Sequence, residues 1–148
     1  MKFSRAFTMI ELIFVIVVLG ILAAIALPKF GQTRELADIA KGRADIATIR
    51  TAIVNERQSR LILGDATYIA KLSSSSTTLF TGDDSTTPDR NLLTYGIKAG
   101  TSSGDWAKTS DTVYTFKVGS TTTTFTYNPS NGTFTCTAGS GNCNALVD

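Results

Sequence analysis

No histidine occurs in the 148 residues, and cysteine and tryptophan are scarce, at two and one. Without histidine the chain lacks the commonest general base near neutral pH and the commonest metal ligand. No motif sets a nucleophile beside a base, and none places two acids together in structured sequence, so an enzyme is not expected. An excess of either charge is missing as well: 14 Lys and Arg face 12 Asp and Glu, a formal net charge of +2. Lys2 and Arg5 account for that excess, and the remainder is neutral. A neutral remainder supplies no electrostatic reason for a nucleic-acid partner. Tyr68/Lys71, Tyr95/Lys98 and Trp106/Lys108 are scattered aromatic–basic pairs. They read as ordinary surface, not as the basic, aromatic-studded tip that binding single-stranded nucleic acid requires.

What the chain does have is a long apolar run. From Ala6 to Leu27 the only charged residue is Glu11. As a helix, Phe7 to Leu27 spans about 31 Å, which matches a bilayer core of roughly 30 Å. Lys2 and Arg5 precede the run, so the positive-inside rule puts the N-terminus in the cytoplasm and everything after Pro28 outside. An ordinary secretory signal is the alternative, with Ala24-Ile25-Ala26 as its cleavage site. Against it stand the acid inside the hydrophobic region and a helical pattern that continues past the cut. A carboxylate at membrane depth costs roughly 2.5–3.5 kcal/mol. Glu11 therefore calls for a partner, unless it is a neutral acid or snorkels to the cytoplasmic interface.

Past Pro28 the pattern turns amphipathic. Ile39, Ile46 and Ile53 recur every seven residues, Leu36, Ile49 and Val54 widen the stripe, and Ala40 and Ala47 lie beside it. Arg43, Arg50 and Arg57 recur at the same period on another face. One helix of about fifty residues is expected, apolar all round in its first half and striped in its second, with the stripe packed on a sheet. Pro28 removes an amide donor and Gly20 lowers helix propensity, so a bend or local melting is expected near residues 24–28.

After Arg60 the composition becomes polar and turn-rich, as in Ser73–Thr78 and Thr81–Pro88. Three runs alternate as strands: Thr112–Val118, Thr121–Tyr127 with Phe125 and Tyr127 on one face, and Thr133–Cys136. Gly119-Ser120 and Asn128–Gly132 supply the turns between them. Leu92–Ile97 is the candidate for a fourth strand. The fold class is α+β, a long N-terminal helix packed on a small antiparallel meander. Cys136 and Cys143, outside the cytoplasm, are expected to form a disulfide that pins the C-terminal tail, with a redox or metal pair as the competing reading.

The stretch Ala6-Phe7-Thr8-Met9-Ile10-Glu11-Leu12 followed by an apolar helix resembles the prepilin leader and first helix of type IV pilins and type II secretion pseudopilins. Gly20 and Pro28 stand where that family often has a Gly and a Pro. The resemblance implies four segments: a leader at 1–6, a transmembrane assembly segment at 7–28, the amphipathic helix at 29–60, and a globular head at 61–148. It implies cleavage by a prepilin peptidase between Ala6 and Phe7, although family leaders usually end in Gly. It also implies N-methylation of Phe7, and assembly through Thr8 and through Glu11 paired with the Phe7 ammonium of a neighbouring subunit. Gly20 and Pro28 would be the flexible points of the helix. The implied function is that of a structural subunit of a type II secretion pseudopilus, with a type IV pilin or minor pilin for DNA uptake, adhesion or motility as the alternative, and the implied partners are other pilin-like subunits, an inner-membrane assembly platform and the peptidase. The implied location is the inner membrane, spanned once, with a periplasmic head that joins a periplasmic or extracellular filament. No cofactor is expected. Asp83, Asp84 and Asp89 carry oxygen ligands of the kind calcium takes. Their spacing matches no calcium motif, and a solvated acidic loop is the preferred reading.

Overall fold

In the computed structural model, residues 7–85 and 89–147 are described, and the side chains of residues 27–30 fall outside the description. The long helix is present as α1, Met9–Ile62. The chain divides into two compact units, Met1–Leu36 and Ala37–Asp148, and α1 contributes to both.

In the first unit the large apolar side chains that are described are exposed. They include Phe7, Ile10, Phe14, Ile16, Leu19 and Ile25. No part of the most hydrophobic 18-residue window is buried. Apolar surface exposed around a whole helix is the signature of a segment solvated by lipid or by other helices.

The second unit is the head. α1 ends where Gly64 takes a positive φ of 86° and its amide bonds the carbonyl of Leu61, while that of Asp65 reaches Arg60. These two bonds form the Schellman stop, which needs a residue without a Cβ at that turn. After it come two short antiparallel pairs. β1 (Thr78–Leu79) pairs with β4 (Ile97–Lys98), and β2 (Gly82–Asp83) with β3 (Arg90–Asn91). A four-stranded meander follows: β5 (Trp106–Lys108), β6 (Val113–Val118), β7 (Thr121–Asn128) and β8 (Thr133–Cys136). α2 (Cys143–Val147) closes the chain.

The three expected strands are present, with Phe125 and Tyr127 buried on one face. Leu92–Ile97 does not supply the fourth: only Ile97 is in a strand, β4, outside the meander, while the amides of Leu92 and Leu93 bond the carbonyls of Thr81 and Phe80 beyond the end of the β2–β3 pair. The fourth strand of the meander is β5, with Trp106 opposite Phe116. Three residues between Gly104 and Ser110 are too short to show an alternation. Ser73–Thr78 and the described part of Thr81–Pro88 are not wholly loops either, since Ser73 bridges to Gly82, Thr78 opens β1 and Gly82–Asp83 is a strand.

The core lies between α1 and the meander. Ile46, Ile49 and Ile53 are buried, and Ile39 packs at the margin. Leu36 and Val54 do not widen that stripe; both are exposed. Facing the isoleucines are Phe80, Trp106, Tyr114, Phe116, Phe125 and Phe134, packed ring on ring at 4.8–6.1 Å. Phe80 sits there at a φ of +61°, a left-handed conformation that costs an L-residue roughly 1–2 kcal/mol. Its amide bonds Ser73 Oγ at 2.7 Å and its carbonyl accepts from Leu93, so the strain is held by two hydrogen bonds and full burial.

The arginine row has a role that periodicity did not reveal. Arg43 Nε donates to the carbonyl of Ala145 at 2.6 Å, and Arg50 Nε to that of Phe134 at 3.0 Å. The Arg57 guanidinium lies 4.4 Å over the Tyr68 ring. One helix face thus ties down α2, β8 and the loop after α1. The cysteines form the expected disulfide, Cys136–Cys143. It fixes α2 so that Leu146 enters the core against α1. The contact is possible because residue 42 is glycine. A Cβ there would lie 2.6 Å from both Leu146 Cδ2 and Phe116 Cε1.

Two stability measurements check this packing. Ala at position 42 gains about 1 kcal/mol of helix propensity. It must also displace two core side chains, at about 1–3 kcal/mol. Gly42→Ala should therefore lower the unfolding free energy of the full chain in detergent by up to about 2 kcal/mol, and a rise by the full helix-propensity gain of about 1 kcal/mol would refute the contact. The second concerns Asp45, whose carboxylate accepts from Trp106 Nε1 at 3.0 Å. Burial raises its pKa, against the Trp106 hydrogen bond and the Lys41 charge, which lower it. A carboxyl whose folded pKa is raised disfavours folding once pH exceeds its unfolded value, about 3.9. Asp45→Asn keeps an acceptor for Trp106. It should raise the melting temperature at pH 7, and the gain should vanish as pH falls toward about 4.

Candidate functional site

The start of α1 holds the chemistry. Thr8 is the N-cap: its carbonyl accepts from Leu12 N at 3.2 Å and its Oγ1 accepts from Glu11 N at 3.3 Å. Glu11 reaches back, with Oε2 accepting from both Thr8 N and Thr8 Oγ1 at 3.1 Å. This is a reciprocal capping box, Thr-x-x-Glu, in which cap and acid satisfy each other's donors. Residue types at positions 8 and 11 carried that signal in the sequence, and it went unread beside the apolar run. The carboxylate also lies in the first turn, where the helix dipole favours negative charge.

The box meets part of the need of Glu11 for partners. Two donors reach Oε2, but among the described residues no cation pairs with the carboxylate. Phe7, one residue ahead of the cap, is exposed at 79%. Ala6 and the rest of the expected leader lie outside the described residues. Gly20 sits within the unbroken helix with nothing within 4 Å of where a Cβ would be. The Pro28 backbone is helical too, and its side chain lies outside the description. α1 runs as helix through residues 24–28, where a bend or local melting is expected.

In the head, the acids considered for calcium are dispersed into other contacts. Asp83 pairs with Lys71 at 3.3 Å and accepts from Ser85. Burial pushes the Asp83 carboxyl up, but the Ser85 and Lys71 bonds together outweigh it and hold its pKa below the ordinary value. The Asp89 carbonyl accepts from Arg60 Nη2. Asp84 lies in the turn after β2, and residues 86–88 are outside the description. No group of three His, Cys, Asp or Glu suited to a metal occurs among the described residues.

The aromatic–basic pairs separate as well. Trp106 is fully buried, so that pair is not surface. Lys71 is engaged with Asp83, and Lys108 with Asp111 and the Ser73 carbonyl. Tyr95 alone projects into solvent, at 89%.

One ionic feature was not legible in the sequence. Glu56 of α1 is buried and holds Arg90 of β3 bidentately, Nε to Oε1 at 2.6 Å and Nη2 to Oε2 at 2.8 Å. Arg90 also donates to the Thr67 carbonyl and hydroxyl and to the Tyr68 carbonyl. These Glu56 bonds raise the Arg90 pKa further. The two residues are 34 positions apart, beyond the reach of any helical spacing rule.

Comparison with known proteins bears on the N-terminal segment. Residues 1–27 match the family described as the prokaryotic N-terminal methylation motif. A fimbrial protein of Pseudomonas aeruginosa is 35% identical over 52 residues, covering 35% of this chain and 34% of that protein. The type IV narrow pilus major component PilA5 of Thermus thermophilus is 45% identical over 49 residues, 33% of this chain and 42% of that protein. The chain thus spans about a third of the length of the curated fimbrial relative it matches. No solved structure matches.

The cap can be tested directly. Thr8→Val removes the hydroxyl that both accepts from Glu11 N and donates to its carboxylate. It should destabilise the first turn by about 0.5–2 kcal/mol. Amide hydrogen exchange in micelles should then speed up at Ile10 and Glu11, while Thr8→Ser leaves it near wild type. Equal protection in both variants would dismiss the capping box.

Proposed function

From the premise that this chain carries the N-terminal methylation motif and is homologous over part of its length to fimbrial and type IV pilus proteins, we propose that it is a structural, non-enzymatic pilin-like subunit. The observation that carries the reading is the exposed apolar stretch of α1 in the first unit, whose only acid as far as Leu27 is Glu11 in its first turn. Such a helix is solvated by membrane before assembly and by its neighbours afterwards.

The route from sequence to assembly is electrostatic. Peptidase cleavage after Ala6 turns the Phe7 nitrogen into a cation. A cation at a helix N-terminus opposes the dipole, so the ammonium gains by approaching a carboxylate. Glu11 of the same chain is one turn away and already accepts from Thr8. Glu11 of an adjacent subunit offers the same charge while burying the apolar surface of both helices. Docking relieves an expensive acid in a low-dielectric setting and sets the axial register of one subunit on the next. Removing the hydrophobic stripe from lipid adds no comparable specificity, since lipid and helix are equally apolar. Melting between Gly20 and Pro28, if it accompanies packing, belongs to the filament.

The finer assignment we propose is a type IV pilus fibre, in keeping with the names of the relatives. A type II secretion pseudopilus is the second reading, favoured by the small head and the charge balance beyond Arg5. Both place the N-terminus in the cytoplasm and the head across the inner membrane, with the peptidase and an assembly platform as partners.

N-terminal mass analysis of the membrane-extracted protein tests the reading. The expected chain begins at methylated Phe7, and one beginning at Leu27 would establish an ordinary secreted domain. Glu11→Ala and Glu11→Gln, produced beside the assembly machinery, should leave processed subunits in the membrane with filament yield cut roughly tenfold or more, since a paired buried charge is worth well over 1.4 kcal/mol. Normal filament yield would remove the pairing from the mechanism. Loss of surface fibres upon gene deletion, with secretion of exoproteins intact, separates the fibre from the pseudopilus.

A further inference from the structure

The turn between β7 and β8 carries a motif that assembly does not use. Asn131-Gly132-Thr133 is an Asn-x-Thr sequence with glycine between. That is the acceptor pattern for N-linked glycan, for which the middle residue must not be proline. Asn128-Pro129-Ser130, directly before it, fails on that rule, and no other asparagine has Ser or Thr two residues on.

The folded turn presents the motif in one arrangement. Asn131 Oδ1 accepts from Thr133 N at 3.1 Å and from Thr133 Oγ1 at 2.8 Å. The amide and the hydroxyl that define the pattern are therefore held together, and both residues are exposed. An acceptor already held in this way loses little conformational entropy when a transferase engages it. Asn131 Nδ2 makes no hydrogen bond among the described residues.

Behind the turn, Gly132 has a φ of +73°, and a Cβ there would lie 2.1 Å from the Tyr68 ring. The back of the hairpin thus rests on Tyr68, which is covered by Arg57, and the asparagine side faces out. The Gly132 amide donates to the Asn128 carbonyl at 2.8 Å. That bond holds back the nitrogen whose attack on the asparagine side chain would begin deamidation.

We propose that Asn131 is an acceptor for N-linked glycan, with the Thr133 hydroxyl as its recognition group. In the transfer, Asn131 Nδ2 forms a bond to the anomeric carbon of an activated glycosyl phosphate. The bond from that carbon to the phosphate oxygen breaks, the phosphate leaves with the electron pair, and Nδ2 gives up one proton to the transferase. Two donors share this chemistry, a lipid-linked glycosyl pyrophosphate and a nucleotide sugar. Access to the first outside the cytoplasm rests on the membrane topology proposed above. Access to the second does not.

The experiment uses the full chain in detergent. One arm supplies a lipid-linked oligosaccharide and an oligosaccharyltransferase that reads Asn-x-Ser/Thr. The other supplies UDP-glucose and a soluble N-glycosyltransferase. Peptide mass mapping should find the glycan on Asn131. Asn131→Gln should abolish it, Thr133→Val should reduce it roughly tenfold or more by loss of one recognition hydrogen bond, and Thr133→Ser should retain it. Melting temperatures of the variants, expected to match wild type, separate loss of the acceptor from loss of the fold. Absence of glycan at Asn131 in both arms overturns the proposal. So does transfer insensitive to Thr133→Val, or conversion of Asn131 to the acid as the only change. Applied to protein from its own cells, the same mapping reads Asn131 and the mature N-terminus separately. A glycan at Asn131 on a chain not beginning at Phe7 would uphold the acceptor and sink the assembly reading.

Discussion

Burial of Ile46, Ile49 and Ile53 against the aromatic face of the meander is the contact on which the head depends. Each side chain taken fully out of water is worth roughly 1.5–3 kcal/mol. The alternation of β6 and β7 has its purpose only because that helix face is present to cover it. The arginine row, the glycine at 42 and the disulfide serve the same contact. They hold the chain segments that border the isoleucines and let α2 close over them.

Two acids on the same helix show how context sets the role of a charge. Glu56 is buried in the head and fully engaged by Arg90, with Arg60 at 3.3 Å. A buried pair of this kind adds little net stability, but it penalises any arrangement that separates its members. It thereby fixes β3 on α1. Glu11 has hydrogen bonds within its own turn and no cation beside it among the described residues. The fold completes the first acid with cations and, among the described residues, gives the second none. The difference matters because an incomplete charge in an apolar setting can drive association.

Legibility followed the range of the interactions. The capping residues, the Ile stripe, the Phe125/Tyr127 face and the turn at Asn128–Gly132 all arise within a few residues of sequence. Each was readable or, for Thr8 and Glu11, had a readable signature. Leu36 and Val54 were misplaced because a helical stripe has no sharp edge until a partner surface defines it. β5 was missed because its three residues become a strand only by pairing with β6. Trp106 resembled a surface aromatic beside a lysine, yet it lies at the centre of the core with its indole nitrogen on Asp45.

The sequence by itself determined the apolar helix, the lone acid Glu11 between Ala6 and Leu27, the match to an N-terminal methylation motif, and the order of helix before strands. These depend on composition and on periods of 2, 3.6 and 7 residues, which are local properties of the chain. Only the tertiary structure decided that the arginine row bonds carbonyls of the head, that Glu56 finds Arg90, and that residue 42 must have no side chain. Those facts depend on which distant segments meet, and no local pattern encodes a meeting between residues 34 or 104 positions apart.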